Sequence, residues 1–220
     1  YDSEFTGYFS IAISPDGRLL AAGEWKHNAS KDQASSIRVW DLTSHQQVAT
    51  LTGHGLPVSN VVFSSDGKWL ASSSAAASYN FTELPGEVII WDMDSMSERH
   101  TLRDHTAGVN HLAFSPDGKE LASCGWDNQL LLWDVASGEP LEAPPITAQI
   151  GLAYSPDGSL LITSSEQNGT QVWNRQNNER MEVSLPGADV IAFSPDGSIF
   201  AGGRGNGTVW ICDAQTFTLR

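Results

Sequence analysis

His100, Asp104, His105 and His111 lie within one short stretch, and imidazole and carboxylate are common zinc ligands. These four are spread along a loop and a strand-like run, however, and no metal centre is expected from them. Gly203, Gly205 and Gly207 look like a loop that cradles phosphate. Such a loop needs a helix N-terminus behind it, whereas here the glycines join two strands of a hairpin. Ser, His and Asp are plentiful, yet no nucleophile-elbow pattern is present. Neither a catalytic residue nor a cofactor is expected, and the chain reads as a non-enzyme.

The chemistry-bearing residues belong to a repeat. Five times the chain runs through an apolar triplet, a four-residue turn, an apolar pair, a run of small residues and a closing Trp-Asp or its remnant. The turns are Ser14-Pro15-Asp16-Gly17, Ser64-Ser65-Asp66-Gly67, Ser115-Pro116-Asp117-Gly118, Ser155-Pro156-Asp157-Gly158 and Ser194-Pro195-Asp196-Gly197. The closing pairs are Trp40-Asp41, Trp91-Asp92 and Trp133-Asp134, fading to Trp173-Asn174 and Cys212-Asp213. The turn aspartates recur at intervals of 50, 51, 40 and 39 residues, a period that marks a repeat architecture.

Composition narrows the partners. Twenty-six acids against 12 bases give a formal charge of −14, which repels phosphate backbones and anionic membranes and suits a neutral or basic protein surface. No run approaches the eighteen apolar residues of a membrane-spanning helix, and Tyr1-Asp2-Ser3-Glu4 lacks signal-peptide character. Cys124 and Cys212 sit in strand-like segments of different repeats, which favours free thiols, a reducing interior and a cytoplasmic setting. The chain opens without Met, so a module of a larger polypeptide is expected, with 1–220 as one propeller-type domain. Four glycosylation sequons begin at Asn28, Asn80, Asn168 and Asn206, and the last two read better as hairpin turns.

Within each repeat the apolar runs are short, rich in β-branched and aromatic residues and bounded by turn chemistry. The third repeat predicts strands over 109–114, 120–124 and 129–133, with a weaker one around 140–142. Proline at the second turn position and glycine at the fourth suit a type I turn between the first two strands. Asn168-Gly169 and Asn206-Gly207 supply two-residue hairpins between the second and third. Runs such as Val88-Ile89-Ile90 and Leu130-Leu131-Leu132 are apolar on both faces, so each sheet must be covered on both sides. A radial stack of four-stranded antiparallel sheets meets that need.

These residues resemble the WD-repeat β-propeller family over essentially the whole chain. Gly53-His54 and Asp104-His105 match the outer-strand signal of that family. The resemblance implies an all-β fold, with blades at about 8–51, 58–102, 109–142, 149–182 and 188–220. It also implies a buried chain of His, Ser or Thr, Asp and Trp, complete only in the third repeat as His105, Ser123, Asp127 and Trp133. The second keeps His54, Ser72 and Trp91 but has Pro85 in place of the Asp. The first has Ala34 there, and the fourth and fifth offer Gln167 and Asn206 without the His. Five blades make either a closed ring or an arc of a longer, seven-bladed propeller, and the arc is favoured. The outer strand of the fifth blade is expected in Thr216-Phe217-Thr218-Leu219.

Family members act as protein-interaction scaffolds, either capturing a peptide or protein on one face or serving as architectural subunits. A small-molecule site in the central channel is the remaining reading. The first and second repeats insert residues 25–35 and 75–86 between their second and third strands, and in the family such connections lie on the binding face. Trp25, Tyr79 and Phe81 on these extensions, Phe9 and Asn110 at the mouth of the inner strand, and Trp126 beside the third-repeat Asp127 are the candidate partner-binding residues. The regular Ser-Pro-Asp-Gly turns look like those of prokaryotic members, which are often fused to signalling kinases or ATPase-type sensors.

Overall fold

The computed structural model describes residues 6–26, 35–75, 84–165 and 167–220. It is built of strands grouped in five antiparallel sheets that follow the five repeats. The first contains β1 (Thr6–Ile13), β2 (Leu19–Lys26), β3 (Ser35–Asp41) and β4 (Gln46–His54). The second contains β5 (Val58–Phe63), β6 (Trp69–Ser74), β7 (Val88–Asp92) and β8 (Ser97–Leu102). The third contains β9 (Val109–Phe114), β10 (Glu120–Gly125), β11 (Leu130–Asp134) and β12 (Pro140–Leu141). The fourth contains β13 (Gly151–Tyr154), β14 (Leu160–Ser165), β15 (Gly169–Asn174) and β16 (Glu179–Leu185). The fifth contains β17 (Val190–Phe193), β18 (Ile199–Gly203) and β19 (Val209–Asp213). Its expected outer strand is reduced to a single bridge between Cys212 and Leu219. In every sheet the strands pair in chain order, so each blade is an up-and-down meander.

The turn between the first two strands of each blade is built identically because its four residues close on themselves. In the first, Gly17 N donates to Ser14 O at 2.8 Å. The Ser14 hydroxyl donates to the Asp16 carboxylate at 2.6 Å, and that carboxylate accepts the Arg18 amide at 3.0 Å. The glycine has φ near +70° in all five copies, the left-handed region that a side chain disfavours. The same serine first, and then the backbone amide, hold Asp16, Asp117 and Asp157 below the ordinary aspartate value, and Asp196 falls to about 2.

These groups make the fold sensitive to acid. An unfolded aspartate titrates near 3.8 and the folded one lower. The carboxylates therefore contribute stability that is fully present above the unfolded value and is lost as pH falls toward the folded one. The melting temperature is expected to be level from neutrality to about pH 5, and then to drop steeply between about pH 4 and pH 2. A melting temperature unchanged at pH 2 would contradict this account of the turns.

The core is a series of layers between blades, as the doubly apolar strands require. Ile37 and Val39 of the first sheet meet Val61, Leu70 and Trp91 of the second. Val88 and Ile90 meet Leu112, Leu121 and Trp133 of the third. Leu130 and Leu132 meet Leu152, Leu161 and Trp173 of the fourth. Ile162 and Val172 meet Phe200 and Cys212 of the fifth. Each of the last four blades thus turns its closing tryptophan, or the residue replacing it, toward the blade before. Among the described residues no comparable packing joins the fifth sheet to the first, and the five blades form an open arc.

Candidate functional site

The rim residues are set by the ends of the inner strands and the connections beside them. Phe9 occupies a β-bulge, where the register between β1 and β2 shifts from Tyr8 to Ser10. The extra residue re-aims the chain, as bulges do, and leaves Phe9 69% exposed. Its ring stacks on Trp25 with centroids 4.8 Å apart and 29° between planes. Trp25 is not on an inserted loop as expected: β2 continues through it, pairing it with Gly7. Residues 27–34 of the first insertion, Ala34 among them, and Tyr79 and Phe81 of the second lie outside the described residues.

Trp126 follows β10, with its amide donating to Gly108 O at 2.9 Å. Its ring edge lies beside Gly108, against which Ala75 of the preceding blade also packs, and the residue is half-buried. Asn110 donates its amide to Gln149 O of the next blade at 2.9 Å, tying two inner strands together. The neighbouring position in the second blade, Ser59, is likewise used internally, donating to Val109 O at 2.5 Å. The structure therefore unites Phe9 and Trp25, holds Trp126 two blades away and commits the Asn110 side chain to an inter-blade bond.

Beneath this rim the third blade contains the expected hydrogen-bond chain. His105 Nδ1 is 2.8 Å from Asp127 Oδ2, and His105 Nε2 is 2.8 Å from the Ser123 hydroxyl. Trp133 Nε1 donates to that hydroxyl at 2.9 Å. Burial pushes the Asp127 carboxyl up, but His105 and the Gln129 and Thr106 amides outweigh it and hold it below its ordinary value. The turn bearing Trp126 is thus anchored through Asp127 to the blade core.

The second blade has a substitute that reading by position missed. His54 Nε2 is 2.6 Å from Ser72 Oγ, and Trp91 Nε1 donates to the same oxygen at 2.8 Å. Where the missing Asp would stand, Glu87 approaches from the start of β7, with Oε1 3.6 Å from His54 Nδ1 and Oε2 3.0 Å from Arg103. The first contact is too long for a hydrogen bond, and among the described residues the buried His54 Nδ1 has no hydrogen-bond partner. His54, then the Gly55 amide and then Arg103 nonetheless keep the Glu87 carboxyl below its ordinary value against the effect of burial. The signal was an acid two residues beyond Pro85.

The first blade has Ala22 at the serine position and carries a buried Glu24, which accepts from the Ser36 hydroxyl at 2.5 Å and from Arg38 Nε at 2.9 Å. In the fourth, Thr163 Oγ1 donates to Thr147 O, and Trp173 Nε1 turns instead to Asn178 at 3.2 Å. In the fifth, Gly202 holds the serine position, and a Cβ there would lie 2.2 Å from the Trp210 ring that fills the space. Gln167 and Asn206 are exposed. Hydrogen exchange should accordingly find the β9–β11 amides of the third blade the slowest in the chain. Faster exchange there than in the fourth blade would contradict the stabilising role of the chain.

The remaining chemical candidates are occupied elsewhere. His100 Nε2 lies 3.0 Å from Ala136 O, while His105 is held in its chain. Among the described residues no three His, Cys, Asp or Glu side chains come together as metal ligands. The Asp189 carboxylate accepts the Gly205 amide at 2.5 Å, putting negative charge where a phosphate would sit. Burial drives the Cys124 thiol up to about 12, so it is not a thiolate at neutral pH.

The model for the WD domain, G-beta repeat, matches residues 45–92, 96–134 and 145–174. The chain belongs to the WD-repeat family. Among its WD-repeat relatives, target of rapamycin complex subunit wat1 of Schizosaccharomyces pombe is 33% identical over 127 residues, covering 57% of this chain and 34% of that protein. Periodic tryptophan protein 2 homolog of the same yeast is 36% identical over 129 residues, covering 59% and 13%. Protein groucho of Drosophila melanogaster is 28% identical over 143 residues, covering 64% and 17%. The chain thus spans about a third or less of the length of these WD-repeat relatives.

Proposed function

We propose that this WD-repeat arc is a non-catalytic scaffold that holds a protein or peptide partner on the rim carrying Phe9, Trp25 and Trp126. The observation carrying this reading is the Phe9–Trp25 stack: two large aromatics are held at the surface by a bulged strand pair instead of being folded into a blade layer. Rigid aromatics supply contact area at little entropic cost and dominate interface energetics. Trp126, fixed through Asp127, extends the same kind of surface. The name of the wat1 relative, a complex subunit, supports assembly with proteins.

The charge of −14 supports a neutral or basic partner surface over nucleic acid or an anionic membrane. The free, buried Cys124 and Cys212 support a reducing, cytoplasmic setting. A prokaryotic origin and fusion to signalling or ATPase-type domains rest on the regular Ser-Pro-Asp-Gly turns alone; the relatives above are eukaryotic. The test is affinity capture with wild type and with a Trp25→Ala, Trp126→Ala double variant of unchanged circular dichroism. Loss of a specific partner from the variant is expected. Equal retention would move binding off this rim and favour an architectural subunit.

A further inference from the structure

Three of the four layers between blades close in the same way beside the turns. Each brings together the residue that opens one blade's second strand, the residue that ends the next blade's first strand, and the residue after that next blade's closing pair. Between the first and second blades these are Leu19, Phe63 and Met93, which share one apolar cluster. Between the second and third they are Trp69, Phe114 and Val135, again in one cluster. Between the fourth and fifth they are Leu160, Phe193 and Ala214.

The layer between the third and fourth blades departs from this pattern at all three positions, which hold Glu120, Tyr154 and Arg175. Arg175 grips Glu120 with both arms of its guanidinium, Nη1 2.8 Å from Oε1 and Nη2 2.9 Å from Oε2. The Tyr154 hydroxyl donates to Glu120 Oε1, and the Arg175 guanidinium carbon stands 5.2 Å from the centre of the Tyr154 ring. Only 13% of the Glu120 side chain and 29% of the Arg175 side chain are exposed. Burial first, and then the Glu120 carboxylate, push the Tyr154 phenol well above its ordinary value, so it stays a donor.

A two-armed arginine–carboxylate pair is strongly directional, yet a mostly buried one adds little net stability over apolar side chains of similar size, because both charges lose water. Its weight falls on mismatches. Were another blade to seat on the third in place of the fourth, Phe63, Phe114 or Phe193 would cover Glu120 and no cation would reach it. Were the fourth to seat elsewhere, Arg175 would meet Leu19, Trp69 or Leu160. Either stack buries an unpaired charge, which is strongly unfavourable. Chemically alike repeats are prone to misassembly of this kind, within a chain and between chains.

We propose that Glu120, Tyr154 and Arg175 form a specificity lock that admits the fourth blade, and no other, onto the third. It works by excluding wrong stacks and not by adding stability to the right one. Glu120 opens β10 and Trp126 follows its far end, so the lock goes beyond the rim reading and does not depend on it.

The test uses the 220-residue chain as wild type, as Arg175→Val, and as the triple variant Glu120→Leu, Tyr154→Phe, Arg175→Val, which copies the neighbouring layers. Two quantities are read for each: the urea midpoint of the native protein, and the fraction of unfolded chains that returns to the wild-type elution volume and near-ultraviolet circular dichroism on dilution. Arg175→Val should lower the midpoint, since it leaves Glu120 without its cation. The triple variant should have a higher midpoint than Arg175→Val and yet return a smaller native fraction than wild type. A triple variant that refolds as completely as wild type overturns the proposal. So does an Arg175→Val midpoint equal to that of wild type, or a triple midpoint no higher than that of Arg175→Val, which would make the group a stabiliser and not a lock. If the triple variant does not fold, Glu120→Gln, Arg175→Gln keeps both side chains polar, removes their charges and carries the same comparison.

Discussion

Trp133→Ala is expected to destabilise the chain by about 3 to 5 kcal/mol, the range for emptying a large buried aromatic site. Trp133 is fully buried among Val88, Ile90 and Leu121, bridging the second and third blades. The substitution also removes the indole donor to Ser123 Oγ and leaves the His105–Ser123–Asp127 remainder without its terminus. A repeat protein is stabilised by nearest-neighbour interfaces, so damage to this layer weakens two blades at once. Urea unfolding of Trp133→Ala and Trp173→Ala checks the expectation. The second should lose less, because Trp173 is less completely buried and its nitrogen reaches Asn178 outside any such chain. Equal losses, or a Trp133→Ala loss under about 1 kcal/mol, would show that the third-blade chain adds nothing.

Gly125→Ala should be comparably damaging by the opposite route. A Cβ at Gly125 would stand 2.2 Å from Gly108 O and 3.0 Å from Val109 Cα, and both are backbone atoms that no side-chain rotation can move. Overpacking generally costs about 1 to 3 kcal/mol, and a backbone obstacle places this site at or above the top of that range. The displaced segment carries the Trp126 amide to Gly108 O and the Asp127 carboxylate to His105, so partner capture through Trp126 should fall with stability. Gly55→Ala is the control, because nothing lies within 4 Å of a Cβ there. A Gly125→Ala protein with the melting temperature of Gly55→Ala would contradict the close packing of β9 on β10.

Much of the fold was legible because its determinants are local. A serine, an aspartate and a glycine within four residues satisfy one another wherever they occur, so all five turns formed where the motif stood. Doubly apolar runs such as Val88-Ile89-Ile90 left only stacked sheets as a solution. His105, Ser123, Asp127 and Trp133 were legible through the resemblance to WD repeats, and the strand register brings them together. Trp25 was misplaced because strand pairing overran the apparent insertion. The weak Thr216–Leu219 strand failed because only one bridge forms there.

By itself, then, the sequence determined the five blades, their turns and the layered core, all of which follow from short-range chemistry repeated along the chain. Only the tertiary structure decided which distant groups meet: Glu87 reaching toward His54, Phe9 stacked on Trp25, Trp210 filling the space above Gly202 and Asn110 spent on Gln149. Such contacts depend on the direction and reach of side chains after the blades have stacked, and spacing along the chain does not encode them.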